Sequence, residues 1–146
     1  MAELVTYPNT ILRQTSVEVL FPVDLTHIVD NMFDIMYKYD GVGLSAIQIG
    51  HTLRLIVADV GEGKEIYVNP KIVRLGGTQR YVIEGCLSFP DVFERIKRWN
   101  KITISYQDIE GNQKVLNTGG LRAHMLQHEL EHLDGILLCD KGLEAI

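Results

Sequence analysis

Nothing in this sequence approaches the ~20 consecutive apolar residues that a membrane-spanning helix requires. Its opening, MAELVTYPNT, has neither a basic start nor an apolar run, so no signal peptide is expected and the cytoplasm is the default compartment. Cysteine is scarce. There are two, Cys86 and Cys139, and in a chain that is not exported such residues are more often free or metal-bound than paired. Positive charge is scarce as well: 14 Lys and Arg against 19 Asp and Glu give a formal charge of −5, without the basic footprint of a nucleic-acid binder. No internal repeat, low-complexity tract or linker-like stretch interrupts the chain, and residues 1–146 read as one domain. What remains, 46% hydrophobic and 23% charged, is the composition of a globular protein with a real core.

The segment DLTHIVDNMFDIMYKYDG opens on Asp24 as a helix cap. It carries apolar residues at Leu25, Ile28, Val29, Met32, Phe33 and Met36, a helical spacing ended by Gly41. LRLIVADV (53–60) reads as a buried strand, followed by a turn into IYVNP (66–70). KIVRL and RYVIEG read as separate strands divided by the glycine pair Gly76–Gly77, and KITISYQD (101–108) turns at IEGN into QKVLN as a hairpin. A second helix is expected from about Gly120 to Asp134, stopped by Gly135. The expected fold is therefore α+β: antiparallel strands packed around a central helix, with an amphipathic helix near the N-terminus.

That central helix carries HMLQHELEH (124–132), three histidines at four-residue intervals on one helix face. His128 and His132 enclose a glutamate directly after the first of them, the H-E-x-x-H pattern. Neutral imidazoles can hold an ion that still acidifies water, and a neighbouring carboxylate can move the proton. His124 matches the spacing to His128, but lies roughly 12 Å along the axis from His132, too far for both to bind one ion. The short motif leaves two readings open, a metal site or a solvated run of charge.

A catalytic site of this kind needs a third protein ligand and one open position. Downstream, Glu144 sits almost at the chain end, and the longer HExxHxxGxxH pattern finds Gly135 but meets Leu138 where its last histidine belongs. Upstream, EGCLSFP (84–90) offers Cys86 on a strand-to-loop stretch, and thiolate with two imidazoles is an accepted ligand set. For either cysteine alone, a small buried hydrophobe is the plainer reading.

Three stretches now stand together: GVGLSAIQ (41–48), EGCLS (84–88) and QHELEH (127–132). In this order and at these separations the chain resembles the peptide deformylases. YPNTILRQTSVEV is similar to that family's opening, so the likeness covers nearly the whole sequence. The resemblance implies a metal-dependent hydrolase that takes the formyl group from the formyl-methionine of nascent polypeptides. It implies one divalent metal on Cys86, His128 and His132, with Fe²⁺ as the native ion and Ni²⁺ or Co²⁺ as working substitutes; Zn²⁺ suits the ligand set on general grounds. Glu129 would serve as general base and then acid toward a metal-activated water. The Gln48 side chain and the Leu87 backbone N–H would point at the formyl oxygen, a position where each fixed donor typically contributes ~10²–10³ in rate. Val42, Gly43 and Gly85 would meet the substrate backbone, and Met125 would stand in the pocket wall or in the core.

The sequence also departs from the family pattern. Ser45 replaces the usual alanine, a change expected to be tolerated. Glu131 replaces the usual aspartate, whose partner arginine falls here on Arg98, so a Glu131–Arg98 pair is expected to brace the helix. Phe93 stands where some members carry an arginine near the substrate. The chain ends soon after LDGILLCDK, like short forms of the family, some virus-encoded; that leaves ribosome docking undecided and makes a host cytoplasm the alternative compartment. Two other readings compete: a metallopeptidase cutting internal bonds, and an impaired homologue or structural metal-binding module.

Overall fold

The structure, a computed structural model, describes residues 3–140. The periodic segment after Asp24 forms helix α1, Thr26–Lys38, with Val29, Met32, Phe33, Ile35 and Met36 buried. Asp24 itself stays outside the helix, and its Oδ1 accepts the Thr26 N–H at 2.9 Å. The helix stop differs from expectation. The left-handed residue is Asp40 (φ 56), not Gly41, and the N–H groups of Asp40 and Gly41 close on the carbonyls of Tyr37 and Met36. Gly41 is small for another reason: a Cβ there would lie 2.7 Å from Leu87 Cδ1.

Among the described residues five antiparallel strands make one sheet in chain order: β1 (Gly43–Ser45), β2 (Leu55–Ala58), β3 (Glu65–Cys86), β4 (Phe89–Gln107) and β5 (Gln113–Gly119). The expected break at Gly76–Gly77 does not occur. Instead, Gly77 (φ 69) takes a left-handed turn inside a bulge, and the pairing of β3 with β4 resumes at Gln79 and Trp99. β4 likewise extends well beyond the expected 101–108, whereas β2 is shorter than 53–60.

The alternation along β2 divides the core. Leu55 and Val57 pack with Met32, Phe33 and Met36 of α1, while Ile56 and Ala58 pack on the opposite side with Met125, Leu126 and Leu130. Those last residues belong to helix α2, Gly120–Leu133. α2 ends as the sequence suggests, with Gly135 (φ 74) in the left-handed position and the Gly135 and Ile136 N–H groups capping His132 and Glu131. A Cβ at Gly135 would run into the Arg13 carbonyl oxygen. Gly135→Ala is therefore expected to cost at least about 1–3 kcal/mol of backbone strain, read as a lower midpoint in urea unfolding. α2 also buries His128, Glu129 and His132. Buried charge-bearing groups need partners: Glu84 faces His128, Ser45 faces Glu129 and Cys86 faces His132, whose Nδ1 is buried without a hydrogen-bond partner.

Candidate active site

α2 presents His128 and His132 one turn apart, with ring centroids 4.9 Å from each other. Cys86 closes β3 immediately before the turn at Leu87–Ser88. Its Sγ lies 3.2 Å from His132 Nε2, and one donor atom from each of the three residues falls within 4.8 Å of the others. His124 is not in this group. It stands in the wall of the adjoining cavity, and its Nε2 is buried without a hydrogen-bond partner. Cys139 packs instead near Leu12 and Phe89, Leu138 joins the same cluster, and Glu144 lies outside the described residues.

Behind the three donors runs a chain of charge. His128 Nδ1 lies 3.1 Å from Glu84 Oε1, which turns the other ring nitrogen to the donor side. Glu84 is gripped by Arg98 through Nε at 2.7 Å and Nη2 at 2.8 Å, and Arg98 Nη1 reaches Glu131 at 2.8 Å. The expected Glu131–Arg98 pair is thus present, but Arg98, only 3% exposed, serves Glu84 at least as closely. Burial alone would raise the Glu84 carboxyl; the Arg98 and His128 hydrogen bonds outweigh it and hold it down at about 2. For His128, burial works against the charged ring, yet Cys86, Glu84 and the charge of Glu129 lift it well above the ordinary histidine range. Burial and the neighbouring His128 push His132 well below that range, so it stays neutral.

Glu129 faces the cavity from α2 and is 4% exposed. Ser45 Oγ donates to its Oε1 at 2.9 Å and lies 3.0 Å from its backbone oxygen. Ser45 is therefore more than a tolerated replacement for alanine: it fixes the carboxylate. Burial still raises the carboxyl above its ordinary value. Gly43 lets this group approach, since a Cβ there would meet Met125 at 2.8 Å and Glu129 Oε2 at 3.2 Å. Gln48 sits in a 3₁₀ turn, Ala46–Ile49. Its Oε1 accepts the Ser45 N–H at 2.9 Å, and its Nε2 lies 3.1 Å from Ser88 Oγ and 3.7 Å from Cys86 Sγ. Ser88 in turn donates to the Val5 carbonyl at 2.7 Å. Gln127 clamps α2 to β4 through both backbone groups of Trp99.

Val42, Gly43, Gly85, Leu87, Met125 and Glu129 all border one cavity of about 760 Å³. Met125 also packs in the core, so it does both of the things expected of it. Glu84, Ser45 and Ser88 were not assigned from sequence. Glu84 and Ser88 were nonetheless within the quoted EGCLS stretch, and alternation from Cys86 would have turned Glu84 toward α2.

A cysteine sulfur and two imidazoles converging to within 4.8 Å, with a carboxylate behind one ring, suit a divalent cation. Set beside a buried glutamate in the wall of a cavity, they make the arrangement of a metal-dependent hydrolase. The family model of polypeptide deformylase matches residues 1–144. The peptide deformylase of Rhizobium meliloti (strain 1021) is 41% identical over 143 residues, covering 94% of this chain and 82% of that protein. The crystal structure of peptide deformylase from Thermotoga maritima superposes with a TM-score of 0.93 at 36% identity, covering 97% of each chain. That of the Synechococcus elongatus peptide deformylase, solved in complex with actinonin, gives 0.93 at 36% identity, covering 97% of this chain and 78% of that one. The chain belongs to the polypeptide deformylase family, metal-dependent hydrolases that remove N-formyl groups.

Proposed function

We propose that this protein hydrolyses the formamide bond of formyl-methionyl nascent peptides with Cys86, His128 and His132 holding the metal and Glu129 moving the proton. The observation that carries the reading is the convergence of those three donors, with Cys86 and His128 bordering the same cavity as a buried, hydrogen-bonded Glu129. When bound, the cation supplies Lewis-acid chemistry, making water acidic enough to ionise near neutral pH. Ser45 occupies Glu129 Oε1, so Oε2 is the oxygen that takes the proton from the attacking water and returns it to the departing amine nitrogen. The formyl C–N bond breaks, leaving formate and a free N-terminus. Gln48 Nε2 and the Leu87 N–H meet the negative charge that builds on the formyl oxygen. The substrate backbone runs beside Val42, Gly43 and Gly85 as an added strand, and residues 1–146 form one catalytic domain.

Fe²⁺ as the native ion and a cytoplasmic setting belong to the same reading. Among the described residues no helix is long and apolar enough to cross a membrane. The direct test is formyl-Met-Ala-Ser against acetyl-Met-Ala-Ser, with iron and zinc forms prepared without oxygen. Release of formate from the first peptide alone supports the reading; cleavage of internal bonds, or no release by either form, overturns it.

His128 holds a proton in the metal-free site, because its pKa is raised, and a cation must displace it. Metal affinity is therefore expected to fall as pH falls, by up to about tenfold per pH unit for each proton expelled. Calorimetric titration in buffers of different ionisation enthalpy reads that proton directly.

A further inference from the structure

We propose that Ile83 and Phe93 read the side chain that follows the formylated methionine, and that the enzyme favours a large apolar or aromatic residue there. The inference rests on the deformylase reading of the cavity.

Among the described residues β2 pairs with β3 only across Glu65–Val68, and no strand pairs with the edge of β3 approaching Cys86 on that side. β1 is the terminal strand of the sheet, and among the described residues no strand pairs with its outer edge. Gly43 and Gly85, one on each of these edges, both border the cavity. A peptide entering between them is positioned to pair as a strand, and successive side chains of a strand point to opposite faces.

The last stretch of β3 sorts its own residues the same way. Val82 and Glu84 are partly buried toward α2, Glu84 reaching His128, while Tyr81 and Ile83 are exposed on the other face. Across the ladder, Glu84 pairs with Glu94 and Val82 with Ile96, whereas Gly85 pairs with Phe93 and Ile83 with Arg95. Directly paired residues share a face, so Phe93 stands with Ile83. These two apolar side chains are 70% and 71% exposed, and both border the cavity. The Phe93 ring lies over Gly85 so closely that a Cβ there would come within 2.9 Å of its Cε1. Arg95, the charged neighbour, has its guanidinium 4.2 Å from the Tyr81 ring centroid, one pair further along. The shelf nearest Gly85 is thus apolar. A peptide with its methionine side chain in the cavity beside Met125 must send its next side chain to the other face, onto this shelf.

The test compares kcat/KM of the metal-loaded enzyme on formyl-Met-Phe-Ser and formyl-Met-Ser-Ser. Wild type is expected to prefer phenylalanine by about tenfold, the scale of partly burying one apolar side chain. In the Ile83→Ser/Phe93→Ser variant the preference should shrink to about twofold or less, and Phe93→Leu should keep most of it. A ratio of two substrates is insensitive to any loss of active enzyme, so a purely structural role of Phe93 over Gly85 would leave it unmoved. Equal rates on both peptides in wild type, or an unchanged preference in the double variant, would overturn the proposal. Failure to release formate from either peptide would instead overturn the deformylase reading itself, a distinguishable result.

Discussion

Glu129→Ala is expected to lower kcat by about 10²–10⁴, the usual contribution of a positioned acid–base group, while the protein still binds one equivalent of metal. The size of the effect follows from how the carboxylate is held. It sits in the wall of the cavity at 4% exposure, with Oε1 engaged by Ser45 and Oε2 against the bare Cα of Gly43. Among the described residues no other carboxylate is poised to replace it: Glu84 is committed to Arg98 and His128, and Glu131 lies against Arg98. Because Glu129 is not among the three converging donors, metal content should survive its removal. The loss should fall on kcat more than on KM, since Gly85, Val42 and Met125, which border the rest of the cavity, are unchanged. Full deformylation by Glu129→Ala would refute the proposed proton path, and loss of metal together with activity would show that Glu129 acts by holding the site together instead.

The sequence was most informative where a single period decided the question. Four-residue spacing put His128 and His132 on one side of a helix, and helix length removed His124 from the metal. Cys86 was legible only as a candidate, because a third ligand 42 positions upstream of His128 obeys no local period; the family resemblance, not geometry, singled it out. The misreadings share a physical cause. A glycine pair in an apolar run reads as a break, yet Gly77 supplies a bulge while the longer partner strand keeps the ladder intact. Gly41 reads as a helix stop, yet an aspartate can also take the left-handed conformation, and the glycine answers a contact with Leu87 instead. Ser45 reads only as a tolerated replacement for alanine, because hydrogen bonds between residues 84 apart in sequence leave no local trace.

Arg98→Met is expected to destabilise the fold by about 3–5 kcal/mol, the scale of breaking a buried ion pair by deleting one partner. It should also weaken metal binding by about 10–100-fold, as losing support behind a ligand typically does. The two effects share one route. Arg98 holds Glu84 bidentately, Glu84 faces His128 Nδ1, and His128 stands one turn from His132 in the donor group. Without the guanidinium, Glu84 and Glu131 face each other across a buried gap, and burial pushes the Glu84 carboxyl upward rather than letting the hydrogen bonds hold it at about 2. The sign of the pH dependence follows. A carboxyl depressed from an ordinary 4.5 contributes its full stabilisation above that value and loses it as pH falls toward 2. In urea unfolding of the metal-free proteins, the gap between wild type and Arg98→Met should therefore be widest above pH 4.5 and close progressively below it. Arg98→Lys, which keeps the charge but loses the fork, should fall between the two. A gap that stays constant with pH would mean that Arg98 contributes through packing alone, and that the charge chain behind His128 is not what secures the site.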